Sequence, residues 1–250
     1  MKNLITREQA LKNEVFASFI GTWQKRFDPR EDPYMTKPGN YYDWEIHKER
    51  FYDQFEIDKI NNQELTEFLD RKDNVEIKKY EYYRELKYNL NFSDIFLYSI
   101  EIGKILEKLG KELNEDLIFI LDYSVPWLSQ ENDYEPASKA LDYLREIGTS
   151  ENFSGAFKLG GDDLAEFATN LFWIIRCNAS LPYCWFSTEK HHFVGDLCQY
   201  GNIHLHSYSI EIKNTLEAFA KANSLIKIDD CIEAFSTDGG IDGRQIILNE

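Results

Sequence analysis

Apolar residues recur every three or four positions in six stretches of the chain, which is the spacing of a helix with one buried face. The clearest stretch is 94–113, where Ser93 is the predicted N-cap. A first helix is predicted over 6–20 and is expected to end at Gly21. The remaining predicted helices cover 61–71, 137–147, about 162–170 and 210–223.

Short continuous runs of apolar residues predict strands that are buried on both faces. The segments 117–121 and 171–175 are two such runs. A turn then leads to 183–187, which is predicted to return as a hairpin partner with Cys177 and Cys184 on the two arms. Further strands are predicted at 155–159, 203–208, 225–228 and 244–248.

These elements predict an α+β fold. Its sheet is expected to be mixed or antiparallel, strongest in the C-terminal half, and packed against several amphipathic helices. Residues 74–88 alternate and predict one more strand, with a charged amphipathic helix as the alternative. We expect a single α+β domain over 1–250, with 1–60 as a helix-plus-loop N-terminal extension packed on it.

The charge of the chain limits its partners. The hydrophobic content of 43 % and charged content of 29 % are those of a folded protein, and the formal net charge is -16. Such a surface repels phosphate backbones and attracts basic proteins, so we expect a basic protein partner and no direct binding to nucleic acid. No signal peptide pattern and no apolar window of about 20 residues occurs, which predicts a cytoplasmic protein without a membrane partner.

Cysteine and histidine are concentrated between Cys177 and His206, which hold three of the four cysteines and four of the five histidines. No CxxC, CxxH or HExxH spacing of a common zinc site occurs there. His204 and His206 nevertheless lie on one face of a predicted strand and could bind zinc together with His191 or Cys198. The alternative is that the cysteines are small buried hydrophobic residues and that the protein has no cofactor.

Arg176 follows the predicted strand 171–175 in a half of the chain that is poor in cations. A buried guanidinium needs a carboxylate or carbonyl partner, and Asp162, Asp163 and Asp196 are the candidates nearby in the sequence. A structural ion pair is expected, with ligand anchoring as the alternative.

The segment 27–47 is a predicted loop with several Pro and Gly breakers, and it is unusually aromatic and acidic. Aromatic side chains beside carboxylates are common in protein interfaces. The candidate partner-binding residues are Tyr34, Tyr41, Tyr42, Asp43, Trp44 and Glu45. The alternative is that these residues hold the loop against its own domain.

No catalytic residue is assigned from motifs, because the chain has no nucleophile elbow, Walker loop or dinucleotide fingerprint. The favoured hypothesis is an acidic cytoplasmic binding protein that neutralises a partner, such as an immunity protein that blocks a bacterial toxin. One alternative is a metal-dependent hydrolase that uses the histidines between His191 and His206. The other is a non-catalytic adaptor subunit.

Overall fold

The computed structural model describes residues 3–44, 46–231, 233–236 and 239–248, and these residues form seven helices and ten strands. The helices are α1 (Arg7–Ala10), α2 (Glu14–Lys25), α3 (Gln54–Arg71), α4 (Ile95–Leu113), α5 (Glu135–Glu146), α6 (Gly161–Cys177) and α7 (Ile210–Ala222). The strands are β1 (Asn3–Ile5), β2 (Gly39–Asp43), β3 (Lys48–Tyr52), β4 (Arg84–Asn89), β5 (Leu117–Leu121), β6 (Ala156–Leu159), β7 (Cys184–Ser187), β8 (Phe193–Leu197), β9 (Ile203–Ser207) and β10 (Ile226–Lys227).

Eight strands form one sheet in the order β1-β6-β5-β7-β8-β9-β4-β10, and each neighbouring pair is antiparallel. β2 and β3 form a separate hairpin. Five of the eight sheet strands follow residue 150, so the predicted α+β fold with an antiparallel sheet strongest in the C-terminal half is confirmed. None of the helices in the described part of the chain combines the length and the apolar character needed to cross a bilayer.

The two faces of the sheet are covered differently. The larger core lies between the sheet and the helices α4, α5, α6 and α7. A smaller core lies on the opposite face, where α1 and α2 pack against alternate residues such as Ile118, Ile120 and Val194. Because side chains alternate along a strand, Asp196, His204 and His206 lie on this second face, beside the area that α2 covers.

Residues 171–175 were predicted as a buried strand, and this prediction is wrong because they form the C-terminal part of α6. This part of the helix is buried on nearly every side, since α6 packs against α4, α5 and the sheet. Its apolar residues therefore form a continuous run, which periodicity does not distinguish from a buried strand. α4 and α6 approach closely at Gly103, where an added Cβ would lie 2.3 Å from the carbonyl oxygen of Ala165.

The predicted hairpin with Cys177 and Cys184 on its arms is wrong for the same reason. Cys177 is the last residue of α6, and Cys184 is the first residue of β7. β7 pairs instead with β5 and with β8. β8 was not predicted, because Gly195 and Asp196 interrupt its apolar pattern.

Several predicted boundaries also change. The predicted helix 6–20 is two helices, because the Asn13 side chain accepts hydrogen bonds from the first backbone N–H groups of α2, which then continues through Gly21. α3 begins well before residue 61, after a capping box that starts at Asp53. Only the last part of the predicted strand 74–88 becomes β4, and the predicted strand 244–248 contains isolated bridges only.

Candidate functional site

A cavity of about 490 Å³ opens on the second face of the sheet, at the strands that α2 leaves uncovered. Its size is within the range of small-molecule sites, which is roughly 300–1,000 Å³. The sheet, the N-terminal helix α2, the β8–β9 turn and the C-terminal segment all contribute to its walls. The lining residues that bear ionisable or metal-binding groups are Glu85, Tyr183, Cys184, Asp196, Cys198, Tyr200, His204, His206, Cys231 and Arg244.

Three of these residues form a compact group of possible metal ligands. One ligand atom each from Cys198, His204 and Cys231 lies within 4.8 Å of the other two, and all three residues are partly buried. His204 Nε2 is 3.1 Å from Cys231 Sγ. β9 supplies the histidine, the β8–β9 turn supplies Cys198, and the C-terminal segment supplies Cys231.

A carboxylate lies behind the histidine of this group. His204 Nδ1 is 3.4 Å from a carboxylate oxygen of Glu85 on the neighbouring strand β4. A carboxylate only accepts hydrogen bonds, so this position favours the proton on Nδ1 and leaves the Nε2 lone pair directed at Cys231. A carboxylate on the outer nitrogen is also the usual arrangement for a metal-binding histidine.

The second histidine of β9 has different partners. His206 Nδ1 is 2.9 Å from the Tyr83 hydroxyl, and its Nε2 is 3.4 Å from a carboxylate oxygen of Asp196. Asp196 is buried on β8 and is paired across the sheet with His204. The cavity therefore contains a buried carboxylate beside the possible metal ligands.

The segment that carries Cys231 is anchored by Arg176. The Arg176 guanidinium donates two hydrogen bonds, of 2.8 and 2.9 Å, to the two carboxylate oxygens of Glu233. Both side chains are almost fully buried, and the guanidinium also lies over the Phe235 ring. The ion pair expected for Arg176 is therefore present, but its partner is Glu233 and not any of the three aspartates suggested by sequence proximity.

The cysteines around the cavity differ in their surroundings. Burial raises the pKa of the Cys198 thiol to about 12, and the neighbouring Cys231 adds to this increase. Burial also raises the pKa of Cys177 to about 11 and that of Cys184 well above its usual range. All four cysteines are free thiols. Cys177 and Cys184 pack in the larger core, and Cys198 and Cys231 lie in the group of possible metal ligands.

The histidine and cysteine residues suggested from the sequence are only partly brought together. Of His191, His204, His206 and Cys198, the compact group contains His204 and Cys198. His191 lies in the turn after β7, where its Nδ1 is 3.1 Å from the Thr188 hydroxyl. Cys231 was missed because it is 27 residues beyond His204 in an irregular segment, and its only signal was that it is the remaining cysteine.

The candidate partner-binding residues divide between two faces of the β2–β3 hairpin. Tyr41 and Asp43 lie on the inner face, where Asp43 accepts a 2.7 Å hydrogen bond from Tyr52 on the other strand of the hairpin. Tyr42 and Trp44 are 46 % and 72 % exposed.

Tyr34, in the irregular stretch before the hairpin, is also exposed, and Glu45 lies outside the described residues. Phe51 is 61 % exposed and shares the outer face of the hairpin with Tyr42. The Tyr42 and Trp44 rings are in edge contact at 4.6 Å. We call Tyr42, Trp44 and Phe51 the aromatic patch.

No protein-family model, curated protein or solved structure matches this chain. The function is therefore inferred from the arrangement of its own residues.

Proposed function

We propose that the chain is a zinc-dependent hydrolase whose metal site is formed by Cys198, His204 and Cys231. The observation that carries this proposal is that their three ligand atoms lie within 4.8 Å of one another in the wall of a cavity of about 490 Å³. Ligand atoms of a tetrahedral zinc site are roughly 3.5–3.8 Å apart, given bonds of about 2.0–2.3 Å. The separations in the group, which run from 3.1 Å between His204 Nε2 and Cys231 Sγ to at most 4.8 Å, bracket that range.

The donor set suits a catalytic zinc site. Two thiolates and one imidazole are soft and intermediate ligands that zinc favours, and three protein ligands leave a fourth position for water. Glu85 would orient the imidazole through Nδ1, as outer carboxylates do in zinc sites. The free thiols also fit a reducing compartment, so the proposal includes a cytoplasmic location.

Bound zinc would lower the pKa of water to about 7 and polarise an acyl oxygen. Asp196 is the residue proposed to move the proton, because it is a buried carboxylate paired across the sheet with His204. The water oxygen would form the new bond to the acyl carbon, and the bond from that carbon to the leaving group would break. Asp196 would take the proton released by the water and would give it to the leaving group. His206 holds the orientation of this carboxylate.

The first prediction is that the full chain binds about one zinc ion and that Cys231→Ser and His204→Ala lose it. The protein would be expressed with zinc, purified in a reducing buffer without chelator, and measured by elemental analysis. Zinc should also protect Cys198 and Cys231 from alkylation, because metal-bound thiolates are less available to the reagent.

His191→Ala is the matched control, because His191 was a candidate from the sequence but lies outside the compact group. It should keep its zinc. The absence of stoichiometric zinc in the wild-type chain overturns the proposal, and so does normal zinc content in both ligand variants. A disulfide between Cys198 and Cys231 in the reduced preparation, detected by mass spectrometry, would also contradict it.

Binding of a basic protein is a second candidate function, and the exposed aromatic patch favours it. Tyr42, Trp44 and Phe51 are large side chains of the kind that dominate protein interfaces, and they are exposed together on one face of the hairpin. Glu49 lies directly across from Tyr42, and the whole chain has a net charge of -16. The proposed occupant is therefore a protein with a basic surface, such as a toxin that the chain would block.

The second prediction is that Tyr42→Ala combined with Trp44→Ala weakens this binding by at least tenfold, because central aromatic residues carry much of an interface energy. A partner captured from the native host would be purified and its association measured with both forms at low and high salt. Phe96→Ala, which removes an exposed aromatic residue from α4, is the control. A partner that is not basic, or that binds the double variant as tightly as the wild type, contradicts the proposal.

A further inference from the structure

Arg244 is a cation in the cavity wall that has no carboxylate partner among the described residues. One of its terminal nitrogens donates hydrogen bonds to the carbonyl oxygens of Arg176 at 2.7 Å and Ile175 at 3.4 Å, at the end of α6. Burial lowers the pKa of its guanidinium, which stays charged at neutral pH. In a chain with 44 acidic and 28 basic residues, a half-buried arginine without an ion pair to any described carboxylate is unusual. Arg176, close by, forms an ion pair with Glu233 through its two terminal nitrogens.

The surroundings of Arg244 suit the bound end of a small molecule. Tyr183 and Tyr200 line the same cavity as Arg244. Tyr183 also belongs to an aromatic wall with Trp23 and Trp185, in which the ring centroids are 5.0 to 5.5 Å apart. Such a wall packs against an apolar or aromatic body.

The acidic groups of the cavity lie on a different wall from Arg244. Glu85 and Asp196 lie with the histidines on the sheet wall, whereas Arg244 belongs to the C-terminal segment. Repulsion by the two carboxylates would exclude an anionic group from that wall, so Arg244 is the position at which a negative charge is accepted. The β8–β9 turn contributes to both parts of the cavity, because it carries the proposed ligand Cys198 and also Tyr200.

We propose that Arg244 binds the carboxylate of a small acyl-group substrate whose apolar or aromatic body packs on Trp23, Tyr183 and Trp185. The carboxylate accepts two hydrogen bonds from the planar guanidinium, a geometry in which arginine and carboxylate match. The acyl group then faces Cys198, His204 and Cys231, an orientation that rests on the proposed function. The carboxylate subsite itself requires only Arg244 and the aromatic wall.

The third prediction compares phenylacetate with its neutral analogue phenylacetamide, using calorimetry or tryptophan fluorescence on the full chain prepared in the presence of zinc. Phenylacetate should bind about ten- to a hundredfold more tightly, because a charged hydrogen-bonded pair in a partly buried site is formed only by the acid. Arg244→Gln should remove this preference while keeping donors for the α6 carbonyls. Arg244→Lys should keep part of it. Arg84→Met, an exposed arginine outside the cavity, should change nothing.

Equal affinity of the wild-type chain for the two probes overturns the inference, and so does a preference that survives in Arg244→Gln. Tighter binding of phenyl phosphate than of phenylacetate would assign the subsite to phosphate and would overturn the carboxylate class. Thermal melting of each variant confirms that it is folded. Zinc content is measured on the same samples, so a chain that binds zinc without the preference refutes only the subsite. A chain with the preference but without zinc refutes only the proposed function.

Discussion

Arg176→Met is expected to lower the free energy of unfolding by about 3–5 kcal/mol, because it leaves the Glu233 carboxylate buried without its partner. The side chains of Arg176 and Glu233 are 2 % and 3 % exposed, so water does not replace the two lost hydrogen bonds. Denaturation by urea, monitored by tryptophan fluorescence, measures the effect. The cost arises from an uncompensated buried charge and does not require the pair itself to be strongly stabilising.

A double-mutant cycle separates the cost of the uncompensated charge from the contribution of the ion pair itself. Arg176→Met combined with Glu233→Gln should be more stable than the sum of the single changes predicts, because neither charge is then left alone. Lys139→Met, which removes an exposed ion pair with Glu135, is the matched control and should change the stability far less, because water solvates the remaining carboxylate. Additive losses in the cycle would show that the two residues do not act as a pair.

The same variants test how Cys231 is positioned. Glu233 is two residues beyond Cys231, so loss of its anchor should loosen the segment that carries this proposed ligand. We expect weaker zinc binding by Glu233→Gln in competition with a chelator, by roughly ten- to a hundredfold, as for other residues that support metal ligands. Zinc affinity that is unchanged in a folded Glu233→Gln protein would limit the pair to a structural role.

Asp122→Asn is expected to raise stability at pH 8 by up to about 4 kcal/mol and to leave stability near pH 4 unchanged. Burial raises the pKa of Asp122 from 3.8 to about 7, although the Trp23 indole donates a 3.0 Å hydrogen bond to one carboxylate oxygen. The other carboxylate oxygen is buried and has no hydrogen-bond partner among the described residues. The positive charge of Arg7 lowers the pKa of Asp122, but by less than burial raises it. The Arg7 guanidinium is itself paired with Asp73.

The direction of this pH dependence follows from the number of protons that the folded and the unfolded protein bind. Between pH 4 and pH 7 the folded protein holds a proton on Asp122 that the unfolded chain has released. The contribution of this residue to stability is therefore complete below pH 4, falls as the pH rises to about 7, and is constant above that. Each pKa unit corresponds to about 1.4 kcal/mol.

Unfolding of the wild type and of Asp122→Asn across this pH range isolates the effect, because other titrating groups are common to both proteins. The contribution of Asp28 to stability would change with pH in the opposite direction, because the hydrogen bond from Arg30 lowers the pKa of Asp28 to about 2. A stability difference between the two proteins that does not change with pH would contradict the prediction.

The elements with a simple periodic pattern were predictable from the sequence. The stripe over 94–113 corresponds to α4, and the apolar run 117–121 corresponds to β5 with the same bounds. These residues face one core with a regular period, and the period survives in the sequence. The prediction failed for residues 171–175 of α6. Helices and sheet together bury this part of the helix, so it has no polar stripe of the kind that identifies a helix in the sequence.

The candidate site depends on contacts between distant parts of the chain. The sequence already placed His204 and Cys198 in a segment rich in histidine and cysteine. It could not place Cys231 beside them, because that contact joins β9 to an irregular segment 27 residues further along the chain. That Arg244 has no carboxylate partner in the described part of the chain is likewise a property of its surroundings and has no sequence signature.

The sequence by itself therefore determined the α+β class, the acidic surface, and the region in which histidine and cysteine are concentrated, because composition and local periodicity carry that information. The tertiary structure decided which of these side chains meet. It separated Cys177 and Cys184, which pack in the core, from Cys198 and Cys231, which lie with His204 in a cavity wall. It also separated the exposed Tyr42 and Trp44 from the inner face of their hairpin. The physical reason is that a binding site is assembled from side chains whose separation in space is set by packing and not by their distance along the chain.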